Sequence, residues 1–168
     1  GASQSGNLVT TSYNTGNIIT NGGTAGGVVG SLSYSGAGTV SYSFNTGSVS
    51  GSSSQGIGGI IGHIQGNTSF VNNNYNTGAV GGNASVSGGI IGVSETGTIT
   101  NNLNLGTVAG NKAIFATGSG GYSNNYYDVT LFPLGGGGTG TGLNSTALTQ
   151  ESSYTGFAFY SSGTPSNQ

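Results

Sequence analysis

The sequence predicts an all-β fold: a β-solenoid of about four to five coils, closed by a C-terminal capping segment with one short helical turn. Three observations predict it. Gly58-Gly59-Ile60-Ile61-Gly62 recurs as Gly88-Gly89-Ile90-Ile91-Gly92 and, with valines, as Gly26-Gly27-Val28-Val29-Gly30. Tyr13-Asn14-Thr15-Gly16 recurs as Phe44-Asn45-Thr46-Gly47 and Tyr75-Asn76-Thr77-Gly78, and in altered form as Leu103-Asn104-Leu105-Gly106. By subtraction of 16, 47, 78 and 106, the glycines of this unit stand 31, 31 and 28 residues apart. The third observation is that the apolar residues are mostly β-branched and interrupted by glycine, without sustained i, i+3, i+4 spacing. That pattern opposes helix and suits short strands between Gly/Asn/Ser turns.

Composition bounds what such a fold can do. The 168 residues fit one domain, but 32% hydrophobic content is low for an ordinary globule, so backbone pairing between coils must replace part of the missing apolar area. Only Glu95, Lys112, Asp128 and Glu151 are charged, giving a net charge of −2. One basic side chain cannot neutralise a phosphate backbone or anchor the chain to an anionic membrane, so nucleic-acid binding is excluded as a partner class. No run approaches the roughly 18 apolar residues of a spanning helix, so membrane insertion is not expected. With no cysteine there is neither a thiolate metal site nor a cysteine nucleophile. The Ser/Thr/Asn/Gly-rich, nearly uncharged composition points to an extracellular place on a bacterial cell surface.

Taken in chain order, the repeats define columns. Four positions before the aromatic stand Val9, Val40, Val71 and Ile99; the aromatics are Tyr13, Phe44 and Tyr75, and five positions after them come Ile18, Val49, Val80 and Val108. A shortened fifth unit carries Tyr122 and Tyr126 at the same separation of four. Even offsets share a strand face, so the first valine column and the aromatics, Tyr126 included, are expected to point inward together as ladder residues. The later valines sit at an odd offset and need a parity reset. Asn14-Gly16, Asn45-Gly47 and Asn76-Gly78 are expected to supply it as corners, since Gly reaches positive φ freely and Asn tolerates it.

The doubled apolar residue of each glycine-rich pentapeptide raises a question of its own. In an uninterrupted strand Val29, Ile61 and Ile91 would face outward as an apolar stripe and form a candidate interface, unless the pair straddles a corner or the tail covers it. The fourth unit lacks the pentapeptide and offers Ile114-Phe115-Ala116-Thr117-Gly118, so 113–134 reads as a closing coil. Residues 1–134 thus form the coil array. Residues 135–168 form a Gly-rich loop, Gly135 to Gly142, and an aromatic tail belonging to the same unit. In that tail Ser145-Thr146-Ala147-Leu148-Thr149-Gln150-Glu151 predicts the helical turns, opened by an N-cap hydroxyl, while Tyr154, Phe157, Phe159 and Tyr160 predict docking on an exposed edge, which makes Phe157 and Phe159 further candidate interface residues.

The alternation of Gly-Gly-Ile-Ile-Gly with Tyr/Phe-Asn-Thr-Gly-x-Val-x-Gly over roughly residues 8–128 resembles the GLUG repeat of large secreted bacterial proteins. These include adhesins of the filamentous-haemagglutinin type and some immunoglobulin-A-cleaving peptidases. The resemblance implies a β-solenoid stalk or presenting segment without catalytic activity of its own. The Gly-Leu-Asn-Ser-Thr-Ala-Leu stretch, followed by Ser-Ser-Tyr-x-Gly-Phe, is similar to the tail that closes such arrays.

Candidate chemistry is sparse. His63 is the only histidine and reads as a surface residue, because nothing in the spacing brings Asp128 to it for a Ser-His-Asp arrangement. No clustered carboxylates or His-Glu-x-x-His motif offer a metal or cofactor site, and three scattered acids do not make a glycosidase pair. Gly135–Gly138 lacks the following Lys-Ser/Thr of a phosphate loop. Rows such as Thr98-Ile99-Thr100 do not repeat in register as an ice-binding face would require. The expected function is a non-catalytic, structural or adhesive module whose partner is a host or neighbouring-cell surface, protein or glycan. Two alternatives stand beside it: self-association into fibres by end-to-end stacking, and a carbohydrate-binding module that uses exposed tyrosines.

Overall fold

A computed structural model describes residues 2–3, 8–32, 37–52, 54–65, 69–133 and 140–159. It is an all-β chain in which every pairing between the named strands is parallel, and each sheet takes one strand from each successive repeat. The valine columns form one sheet from Leu8–Thr10, Thr39–Ser41, Phe70–Asn72, Thr98–Thr100 and Gly121–Ser123, with Val9, Val40, Val71, Ile99 and Tyr122 in register. A second sheet pairs Tyr13–Asn14, Phe44–Asn45, Tyr75–Asn76, Leu103–Asn104, Tyr126–Asp128 and Thr141–Leu143. The later valines follow in a third, where Ile18–Thr20 pairs Val49–Gly51 and single bridges continue to Val80 and Val108.

The glycine-rich pentapeptide is divided between two sheets. Ala25–Gly26, Ile57–Gly58 and Ser87–Gly88 pair in one; Ala2–Ser3, Val29–Leu32, Ile61–Ile64, Ile91–Ser94 and Phe115–Gly118 pair in the other. The chain bends between them at Gly59-Ile60 and Gly89-Ile90. The bend sends both residues of the pair inward: Ile60, Ile61, Ile90 and Ile91 are all fully buried in the main core with Val40, Val71, Ile99 and Ile114. In the fourth repeat Ile114 and Phe115 take the places of Ile90 and Ile91. The later valines line a smaller cluster with Ala25 and Ile57.

Strand parity is reset two residues before each aromatic. Thr11, Tyr42, Asn73, Asn101 and Asn124 all have positive φ, between 49° and 56°, a left-handed corner placed between the valine and the aromatic. Each corner flips the next residue to the opposite face. The tail adds the helical turn Ser145–Leu148, capped by the Asn144 side chain accepting from the Ala147 N–H at 2.9 Å. Gly135–Gly138 and Tyr160 lie outside the described residues.

Candidate interaction surface

The left-handed corner places the aromatics outside and their neighbours inside. Tyr13 is 69% and Tyr75 41% exposed, whereas Asn45, Asn76 and Asn104 are wholly buried. The expectation that Tyr13, Phe44 and Tyr75 point inward with the valines is therefore corrected. The corner at Thr11, Tyr42 and Asn73 adds a parity change that falls before the aromatic. The asparagines are likewise not corners but strand residues. Gly16, Gly47 and Gly78 do not occupy the left-handed region; Gly47 and Gly78 are tight because a Cβ there would lie 2.0 Å from the carbonyl oxygen of Gly16 or Gly47 in the preceding repeat, whereas one on Gly16 would meet only Asn14 Oδ1 at 3.7 Å.

Inside, the asparagines form a continuous ladder. Nδ2 of Asn14 donates to Oδ1 of Asn45 at 2.8 Å, Asn45 to Asn76 at 2.8 Å, and Asn76 to Asn104 at 2.9 Å. Each Nδ2 also donates to the carbonyl two residues on, that of Gly16, Gly47, Gly78 or Gly106. On Asn14, Asn45 and Asn76 both amide hydrogens are thereby used. Burying such groups without partners would cost about 1–3 kcal/mol each, so the ladder is viable only because it is nearly complete.

A second ladder was not legible beforehand. Ser12, Ser43, Asn74, Asn102 and Asn125 each stand immediately before the aromatic column. The Ser43 N–H donates to Oδ1 of Asn74, Asn74 to Asn102, and Asn102 to Asn125, at 3.0 to 3.1 Å. Their side-chain amides return to the carbonyls of Val40, Val71 and Ile99 at 3.0, 3.0 and 2.8 Å. These bonds tie the left-handed corner to the valine sheet.

The two repeated motifs meet across the interior. A Cβ on Gly27, Gly59 or Gly89 would lie 2.4 to 2.5 Å from the side chain of Asn45, Asn76 or Asn104 respectively. The pentapeptide glycine is glycine because the next repeat's backbone carbonyl, 2.0 to 2.2 Å from such a Cβ, and its asparagine side chain occupy that space. Where the asparagine column ends, at the pairing of Asn104 with Tyr127, the glycine column ends too, and fully buried Ala113 replaces it.

Outside, the rings stack. Tyr13 and Phe44 have centroids 5.2 Å apart at 9°, and Phe44 and Tyr75 5.0 Å at 5°. Parallel rings this close overlap face to face, since side-by-side rings would collide. Their edges, with exposed Tyr42 beside them, form the outward ridge. The column continues through Leu103 to Tyr126, but there the tail covers it: Tyr154 and Phe157 pack edge-on against Tyr126 at 5.2 and 5.8 Å. The Tyr126 hydroxyl accepts from the Thr155 N–H at 2.8 Å, and Asn101 Nδ2 donates to the Gly156 carbonyl at 3.0 Å. Tyr126 is thus 4% exposed in spite of lying in an outward column.

The candidate interface stripe is corrected as well. Val29, Ile61 and Ile91 are 4%, 0% and 0% exposed, because the bend after Gly59 and Gly89 turns the strand face inward. Within the described residues the tail packs on Leu103, Tyr126 and Leu143 instead of on them. Phe157 is half-buried on Tyr126, and Phe159 remains 43% exposed. Of the other ladder positions, Val40, Val71, Ile99, Val49 and Val80 are buried, while Val9, Ile18 and Val108 are partly so.

His63, expected on the surface, is 9% exposed and its Nε2 lies 3.4 Å from Oε1 of Glu95. Among the described residues no group of three or more His, Cys, Asp or Glu side chains could hold a metal ion. Burial raises the phenol of Tyr122, an effect partly offset by Ser94, and raises that of Tyr154, with Tyr126 adding to it. Among the described residues no helix is long and apolar enough to cross a membrane. No protein-family model matches the chain, and no curated protein or solved structure matches it.

Proposed function

We propose that this chain is a β-solenoid working as a non-catalytic structural and adhesive module of a secreted bacterial cell-surface protein, similar to the GLUG-repeat stalks. The observation that carries this is the direction of the repeated polar residues. The asparagine columns, with Ser12 and Ser43, are turned inward and occupied by hydrogen bonds between coils, so repetition here builds a scaffold. What repeats outward is the stacked column of Tyr13, Phe44 and Tyr75 with the exposed Thr15, Thr46 and Thr77 two residues beyond it, an aromatic and hydroxyl-bearing surface suited to contact with a host or neighbouring-cell surface.

The test is retention under flow. Beads coated with the full chain should bind target cells, and replacing Tyr13, Tyr42 and Tyr75 by Ser should reduce retention about tenfold, the loss of one or two hot-spot contacts. Equal retention of both bead types would overturn the adhesive part of the proposal. Catalytic turnover of any polysaccharide by the purified chain would overturn the non-catalytic part.

A further inference from the structure

The outer column of rings is covered at its last member and open in the middle, and the cover shows what the column can hold. The left-handed corners Asn101 and Asn124, with Leu103 and Tyr126 beside them, form a seat for the tail segment Tyr154-Thr155-Gly156-Phe157. Tyr154 and Phe157 set their rings edge-on to Tyr126, at 69° and 62°. Polar groups hold the backbone between them. The Tyr126 hydroxyl accepts from the Thr155 N–H, and the Asn101 amide donates to the Gly156 carbonyl. Gly156 has a φ of 85°, and a Cβ there would lie 2.5 Å from Oδ1 of Asn101 and 2.7 Å from Nδ2 of Asn124, so the seat selects glycine at that place.

The stacking of repeats builds the same seat two coils earlier. Tyr75 pairs with Phe44 as Tyr126 pairs with Leu103, and the corners Asn73 and Tyr42 answer to Asn124 and Asn101. Among the first four repeats only the third joins a hydroxyl-bearing ring to an asparagine corner: Tyr13 follows Thr11, Phe44 lacks the hydroxyl, and the fourth repeat has Leu103. The earlier seat differs at one corner, where Tyr42 offers a phenol and a second ring in place of the Asn101 amide. Its φ of 51° suits asparagine better than tyrosine, so the backbone does not account for that ring. This seat is also uncovered. Tyr42 is 63% and Tyr75 41% exposed where Tyr126 is 4%, and neither exposed hydroxyl has a hydrogen-bond partner among the described residues.

We infer that Tyr42, Phe44, Asn73 and Tyr75 form a docking site for a peptide segment of a partner protein, with an aromatic residue, a spacer, a glycine and a second aromatic in succession. The chain's own tail is the template for that occupant, because it fills the equivalent seat with those residues. No charged side chain precedes Glu95, so ring packing and backbone hydrogen bonds do the selecting and charge does not. The inference rests on the reading of the ridge as a contact surface and narrows its partner to a peptide.

Fluorescence anisotropy of a labelled peptide of residues 150–159, titrated with the full chain, tests it. The expected result is saturable binding, weakened about tenfold by Tyr75→Phe, which removes only the hydroxyl, by Tyr42→Ser, and by Gly156→Ala in the peptide. Ile19→Ser, at an exposed position of another sheet, should leave binding unchanged. Circular dichroism confirms that the variants keep their strand content. Absence of saturable binding would overturn the inference, as would equal binding of the Gly156→Ala peptide. So would a loss on Tyr126→Phe with none on Tyr75→Phe, since the peptide would then be replacing the chain's own tail. Cell retention of coated beads is a separate readout: retention without peptide binding sinks this inference alone, whereas peptide binding without retention upholds it and sinks the adhesive reading.

Discussion

Phe44 and Asn45 are neighbours in sequence with opposite fates. The ring lies on the outer ridge between Tyr13 and Tyr75, whereas the amide is sealed between Asn14 and Asn76 and set against Gly27. In an ordinary globule the aromatic would be the core residue and the asparagine would face solvent. The inversion teaches how a chain poor in apolar residues holds together. Stacked repeats place identical side chains at hydrogen-bonding distance, so an amide can satisfy its neighbour above and below. The Phe44 ring loses little by lying outside, because Tyr13 and Tyr75 stack on its two sides.

The predictions that break or sharpen this contrast run from inside to outside. Gly59→Ala should be the most damaging, because its Cβ would lie 2.1 Å from the Gly89 carbonyl oxygen and 2.4 Å from Asn76, and neither can withdraw. A loss of about 4 kcal/mol or more is expected in urea unfolding. Asn76→Ala should follow, at about 3 kcal/mol, since it leaves the partners on Asn45, Gly78 and Asn104 short of bonds in a dry interior. Tyr75→Ala should cost about 1 kcal/mol, the scale of one exposed stacked pair, and scanning calorimetry would register it as a small shift in Tm.

The smallest effect is at alkaline pH. Burial holds the Tyr122 and Tyr154 phenols above their ordinary value of 10.0, so the folded state favours their neutral form. That contribution is intact below pH 10.0 and is lost as pH rises through the raised folded values. Chemical unfolding should therefore show stability falling above pH 10.0, and Tyr122→Phe should flatten part of the fall.

The valine and isoleucine columns were legible because β-branched residues at fixed period leave a plain trace. The face of each residue was not legible. Parity turned on left-handed corners at Thr11 and Tyr42, residue types that seldom adopt positive φ and gave no signal at those positions. The Ser12 to Asn125 ladder was hidden in a chain where serine and asparagine are everywhere, although its fixed place before the aromatic could have revealed it. Ile61 defeated the strand-alternation rule because the bend at Gly59-Ile60 interrupts the strand. Its glycines were read as punctuation, but their cause lies a repeat away, in the backbone carbonyl and the asparagine that together fill the space of a Cβ.

The central claim, that the recurring asparagines form a buried and continuous ladder, is tested most directly by side-chain amide hydrogen exchange followed by NMR. The Nδ2 protons of Asn45 and Asn76 should exchange only on global unfolding, far more slowly than those of the exposed Asn17 and Asn144. Exchange of Asn45 and Asn76 at the rate of these surface amides would contradict it.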